Sequence, residues 1–202
     1  MGAYYYLVSQ LPSLSYGVSA AVETKDFIEL CRSFLSPQDF KLLDYCRLDP
    51  EGNTPFSLGQ AYQIMPEPVG SHLLDNWRIW ERALRLHLAR FRLQHVKQQE
   101  NPVVADAPAD PIDAALVAKN AVSIESPLEA ELYLDRARWS AIEALQGFDY
   151  FGRDTVYAYY LKLQLLERKQ KFKVDEGFEA YQGLYNSIMD AAQSRIYAGE
   201  PK

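Results

Sequence analysis

The stretch Gly147-Phe148-Asp149-Tyr150-Phe151-Gly152-Arg153-Asp154 has the two-glycine spacing of a phosphate-binding loop. That motif needs a lysine and then Ser or Thr after the second glycine, for the phosphates and for magnesium. Here Arg153 and Asp154 stand in those places, and a carboxylate there repels phosphate. A helical pattern, not a strand, precedes it, so it reads as an aromatic turn between helices. His72, His87 and His95 are the only histidines. No two are spaced i, i+4 and none has Glu three residues before it, so zinc-protease and di-iron spacings are missing. They read as surface or boundary residues. Glu125, Glu129 and Glu131 cluster near a helix start, where capping and solvation account for them better than acid–base work. No Gly-x-Ser-x-Gly elbow is present to present a nucleophilic serine. No catalytic, metal or cofactor site is expected, and no small-molecule substrate.

Cys31 and Cys46 are the only cysteines. Two in a chain of this length make no disulfide framework. They read as buried free thiols, small hydrophobes suited to a reducing cytoplasm. The basic residues are more suggestive. Arg78, Arg82, Arg85 and Arg92 fall at i, i+4, i+7 and i+14, on one face of a helix. A solvated face with Glu81 as a partner is one reading. The other is a surface for an acidic protein partner, since interfaces favour arginine.

The elements that must carry these residues are helical. Ser36-Pro37-Gln38-Asp39, Asp110-Pro111-Ile112-Asp113 and Ser126-Pro127-Leu128-Glu129 repeat one helix start. A side-chain oxygen at the N-cap accepts an orphan N–H. Proline at the first helical position gives up an N–H that lacked a partner. The acid at the third position favours the positive end of the dipole. Helices are expected over about 25–35, 37–47, 72–98, 110–122, 126–146, 154–171 and 177–196. In the longest, Leu73, Trp77, Trp80, Leu84, Leu88 and Phe91 form one apolar stripe. From Val156 to Leu166 the pattern is apolar nearly all round, which belongs at the centre of a bundle. Tyr4-Tyr5-Tyr6-Leu7-Val8 has strand propensity, so an extended or short-strand segment is expected at the N-terminus. Residues 49–70, with four prolines and three glycines, read as a long loop with one turn of helix near Ala61-Tyr62. Residues 98–109 read as a Pro-rich linker. The whole is a mostly α bundle of about six to eight helices, a single domain that the linker divides into lobes 1–97 and 110–202.

Hydrophobic residues at 48% and charged at 24% fit a fold with a real core. Aromatic content is 13%, so core and interfaces should be rich in rings. The net charge of −6 argues against a nucleic-acid partner. Met1 to Tyr6 lacks the basic region of a signal peptide, and Tyr6 stands where myristoylation needs Ser or Thr. No apolar run reaches the roughly 20 residues that span a bilayer. Work at a membrane would need another protein to hold it there.

Several segments, in order, resemble an uncharacterised bacterial family usually encoded among the components of V-type ATPases, as in spirochaetes, chlamydiae and Bacteroidetes. Tyr4 to Pro12 resembles its start, as do Phe27-Ile28-Glu29-Leu30-Cys31 and Leu35-Ser36-Pro37-Gln38-Asp39. Asn76 to Arg85 is similar to its central segment. Ser126 to Glu131 with Arg138-Trp139, and Tyr159 to Arg168, are similar to later ones. The resemblance implies a non-catalytic structural subunit of a V-type ATPase. It would stand in for the C/d-type component, a helical funnel between rotor stalk and membrane ring. This chain is markedly shorter than that three-lobed component. The implied partners are the stalk subunits and the membrane ring of an ion-transporting ATPase. The implied location is cytoplasmic, peripheral at the inner face of the membrane. Two alternatives stand beside it: a transient assembly or regulatory factor of the same machine, and a small helical enzyme with an unmarked site. Copurification at fixed stoichiometry separates a structural subunit from a transient factor. The lack of paired catalytic residues argues against the enzyme.

Overall fold

A computed structural model describes residues 4–48, 67–95, 111–148 and 150–171. Among them lie seven α-helices, one 3-10 turn and no strand. The helices are α1 (Tyr5–Gln10), α2 (Thr24–Phe34), α3 (Pro37–Leu42), α4 (His72–His95), α5 (Ile112–Val122), α6 (Pro127–Gln146) and α7 (Arg153–Lys171). The 3-10 turn, Leu43–Tyr45, follows α3 directly. One compact unit spans residues 1–167, and a second spans residues 168–202. Only the end of α7 is described in the second. The expected turn near Ala61-Tyr62, the linker at 98–109 and the last helix at 177–196 lie outside the described residues.

Two of the three helix starts form as written. The Ser36 hydroxyl oxygen accepts the Asp39 N–H at 3.1 Å, and that of Ser126 accepts the Glu129 N–H at 3.4 Å. Pro37 and Pro127 occupy the first turn. The third start is shifted. α5 begins at Ile112 with Pro111 as its extended cap residue, not its first helical one. The Ala114 N–H closes the first turn on the Pro111 carbonyl at 3.2 Å. The expected cap, Asp110, lies outside the described residues.

α1 replaces the expected extended segment. A lone strand would leave its backbone N–H and C=O groups unpaired, whereas a helix bonds them within itself. α1 buries Leu7 and is held at its start by the Tyr4 N–H, which donates to the Phe151 carbonyl at 2.7 Å. α3 ends five residues before the expected Arg47. The 3-10 turn tightens the chain there and turns Leu43, Cys46 and Leu48 into the core.

The core is continuous from Leu7 through Phe27 and Trp77 to Ala114, Ile142 and Leu161. Helices from both sides of the 98–109 segment therefore share it. α7 is its centre: no residue from Arg153 to Lys169 is exposed, as its all-round apolar pattern predicts. Phe27 lies against the Tyr159 and Tyr160 rings, with centroids 5.2 and 5.4 Å away. The apolar stripe of α4 is buried from Leu73 to Leu88, with Phe91 half-buried. α5 packs along α4 through Ala114, Ala118 and Ala121, whose i, i+4, i+7 spacing lays small side chains on one face.

Cys31 and Cys46 are both buried and free. Burial pushes the Cys31 thiol up to about 12 and the Cys46 thiol well above its ordinary value. Only the thiolate is a nucleophile. Neither cysteine should therefore react with iodoacetamide at pH 8 in the native protein within an hour, and both should react once it is denatured. Mass spectrometry reads the two states. Rapid modification of either native thiol would contradict its burial.

Candidate functional site

The four arginines of α4 do not form one solvent-facing row. Arg85 donates from Nε to Glu81 Oε1 at 2.8 Å and from its terminal nitrogen to the Leu48 carbonyl at 2.5 Å. Arg78 donates to the Glu67 carbonyl at 2.7 Å and lies over the Tyr45 ring at 5.1 Å. Both tie α4 to neighbouring chain. Arg82 is half-buried. The Arg92 side chain is 60% exposed, with a terminal nitrogen 3.8 Å from Glu131 Oε1. Helical spacing put the four at neighbouring positions; the surrounding chain decided how much of each stays in solvent.

Glu81 has a second partner that the spacing does not reveal. Arg138 of α6 reaches it at 3.1 Å through two nitrogens and reaches Asp135 at 2.9 Å. All three side chains are under a tenth exposed. Burial pulls the Arg138 pKa down, but Glu81 and Asp135 outweigh it and hold the guanidinium above its ordinary value. The group is a fixed cation clamped between two carboxylates.

The turn with phosphate-loop spacing commits its charges to structure as well. The Asp154 carboxylate accepts the Ser71 hydroxyl at 2.7 Å and the Leu73 N–H at 3.1 Å, capping the start of α4 from another helix. Arg153 donates to Asp39 Oδ1 at 3.1 Å and to the Gly70 carbonyl. Asp39 also accepts the Tyr4 and Ser36 hydroxyls through Oδ2, and its carbonyl accepts the Tyr157 hydroxyl at 2.9 Å. Burial pushes the Asp39 pKa up, but the bonds from Tyr4, Ser36 and Arg153 outweigh it and leave the pKa below 3.8. His72 is exposed; His87 is buried against Phe91, with ring centroids 6.3 Å apart, because α4 faces neighbours on more than one side. His87 thus departs from the surface position expected for it. The His95 side chain lies outside the described residues. Among those residues, no three His, Cys, Asp or Glu side chains gather as metal ligands do. No helix among them is long and apolar enough to cross a membrane.

What stands out on the surface is aromatic. Tyr5 and Tyr6 of α1 are 61% and 67% exposed, and Phe148 in the 147–152 turn is 91% exposed. Tyr150, Phe151 and Phe34 at the end of α2 are also exposed. The Tyr5 and Phe151 rings lie 4.7 Å apart and those of Tyr6 and Phe34 5.3 Å apart, so these four residues, from three chain segments, meet in one aromatic corner. Gly147 ends α6 with φ 65°, a conformation that favours glycine, and starts this turn. Part of the corner had a sequence signal: Tyr5, Tyr6 and Phe151 belong to two short aromatic clusters, the second between glycines, whereas Phe34 stands apart from both. Their convergence had none.

Comparison of the chain with protein families, with curated proteins and with solved structures yields no match.

Two variants test this bracing. Arg138→Ala leaves two carboxylates buried without their cation and should cost about 3–5 kcal/mol of stability by urea unfolding. A loss under about 1 kcal/mol would mean the clamp is not desolvated. The lowered Asp39 pKa stabilises the fold above the unfolded value of 3.8, and that stability is lost as pH falls through the folded value. Asp39→Asn should lower stability at pH 7 and flatten the loss of stability between about pH 4 and pH 2. An acid limb as steep as wild type would show that other carboxylates carry it.

Proposed function

We propose that this protein is a non-catalytic structural subunit of a bacterial V-type ATPase, an adaptor between the central rotor stalk and the membrane ring. The assignment to that machine rests on the ordered resemblance of Tyr4–Pro12, Phe27–Cys31, Leu35–Asp39, Asn76–Arg85, Ser126–Glu131 with Arg138-Trp139, and Tyr159–Arg168. One structural observation supports an adaptor over an enzyme. The charged groups best placed for chemistry, namely Asp39, Glu81, Asp135, Arg138, Arg153 and Asp154, are all committed to holding helices together. What is left for binding among the described residues is surface: the aromatic corner, and the exposed side chain of Arg92. An adaptor transmits position, and a core cross-braced by buried charge pairs suits that task. In this reading the protein sits on the cytoplasmic side and meets the membrane through its partners.

The test is copurification. A tagged copy expressed from its own locus should bring down the stalk and ring subunits of the ATPase at a fixed ratio that survives extended washing. A ratio that falls with washing, or that appears only during assembly, would favour the transient factor. Recovery of the protein without ATPase subunits would overturn the proposal.

A further inference from the structure

The geometry points to a binding site for a small apolar carboxylate between the segment that leaves α1 and the helices α6 and α7. The site goes beyond the adaptor reading and does not rest on it. One concerns what the protein docks against, the other a small molecule that it holds.

A half-open cavity of about 180 Å³ lies there. Val8, Leu11, Pro12 and Leu14 give it an apolar wall. α7 contributes Thr155, Tyr159 and Lys162, whose i, i+4, i+7 spacing sets them on one helix face, and Gln146 ends α6 beside them. The wall is held in place. The Tyr159 hydroxyl donates to the Pro12 carbonyl at 3.0 Å, and the Leu11 N–H to the Val8 carbonyl at 3.1 Å. Just past the wall, the Tyr16 hydroxyl donates to the Leu132 carbonyl at 3.1 Å, and its ring packs against Trp139 at 5.6 Å. The segment is thus tied to both α6 and α7, and binding costs little ordering entropy.

Charge and size then select the occupant. Lys162 is the only charged side chain among the described lining residues. It is 14% exposed and lies over the Trp139 ring at 5.2 Å. Its Nζ is 3.2 Å from Glu143 Oε1, an oxygen that also accepts the Trp139 Nε1–H at 2.9 Å. Glu143 is 54% exposed, so water screens much of its charge. An ammonium largely out of water needs more than one screened partner. Among the described residues Glu143 takes one of its three N–H donors, so two remain for a ligand. A carboxylate in the cavity uses them, and its apolar body meets the wall. An engineered apolar cavity of about 150 Å³ holds benzene, whereas drug-sized ligands need about 300–1,000 Å³. The occupant is therefore an acid with one ring, or a branched chain of similar bulk.

The experiment titrates the purified full-length protein with benzoate, followed by saturation-transfer NMR. Benzyl alcohol, with the same ring and no charge, is the comparison. The variants are Lys162→Met, which keeps the apolar stem and removes the ammonium, and Ser13→Trp, which fills the cavity from an exposed lining position. Circular dichroism checks that each is folded. Wild type should bind benzoate with a Kd of at most about 1 mM, which is modest for a ligand of this size. Benzyl alcohol should bind at least about tenfold more weakly, as loss of a charge-assisted hydrogen bond requires. Lys162→Met should lose benzoate by a similar factor and keep benzyl alcohol within about threefold. Ser13→Trp should weaken both probes. No binding of benzoate by wild type up to roughly 10 mM overturns the site. Equal affinities for benzoate and benzyl alcohol overturn the carboxylate class. Unchanged benzoate binding by Lys162→Met overturns the role of the ammonium, and by Ser13→Trp the location. If Lys162→Met does not fold, Ser13→Trp and the two probes decide the matter alone. Tighter binding of N-acetyl-leucine than of benzoate would overturn the free acid and assign the cavity to a peptide C-terminus. No ATPase subunit takes part, so failure here leaves the adaptor reading as it stands.

Discussion

The structure around the aromatic corner depends on one buried carboxylate. Asp39 lies in the first turn of α3, and burying a charge there is costly unless every lone pair is used. Tyr4, Ser36 and Arg153 use them, Ser36 from the cap of the same helix and the other two from distant segments of chain. The Tyr157 hydroxyl adds a bond from the central helix to the Asp39 carbonyl. Two of the donors bring distant segments with them, Tyr4 the start of α1 and Arg153 the start of α7, while Ser36 is the cap of the helix that carries Asp39. The bonds are directional, so the arrangement has few alternatives. Apolar packing alone would tolerate α1 sliding over the bundle.

A second polar centre joins α4 to α6. Glu81, Asp135 and Arg138 form a buried group in which one guanidinium satisfies two carboxylates, and Arg85 extends it toward the Leu48 carbonyl. Such a group contributes less to net stability than its Coulomb attraction suggests, because three charges leave water. Its effect here is geometric: it sets how α4 lies along α6. α5 is added by another route, through the small faces of Ala114, Ala118 and Ala121 and the bond from Trp80 Nε1 to Asp113 at 2.9 Å. α7 bonds the first centre through Tyr157 and gives its apolar residues to the shared core.

This division of labour bears on function. Among the described residues, Asp39, Glu81, Asp135, Arg138, Arg153 and Asp154 are committed to bracing, while the rings of Tyr5, Tyr6, Phe34 and Phe151 lie outside. The arginines of α4 follow the same pattern, since Arg78 and Arg85 bond to backbone carbonyls that would otherwise need other donors.

The sequence by itself determined what local chemistry can decide. Ser36-Pro37 and Ser126-Pro127 start helices because cap, proline and acid act within four residues. The stripe of α4 and the all-round apolar pattern of α7 placed those helices in the core, because period alone says which faces avoid water. The tertiary structure decided whatever depends on distant residues. Tyr4 to Val8 has the propensity of a strand, yet with no strand to pair with among the described residues it is a helix from Tyr5 onward. Pro111 caps α5 rather than starting it. Arg78, Arg82, Arg85 and Arg92 share one spacing, but the exposure of Arg78, Arg85 and Arg92 follows from Leu48, Tyr45, Glu67 and Glu131, which no helical period encodes. The aromatic corner joins residues more than a hundred positions apart, and only the folded chain brings them together.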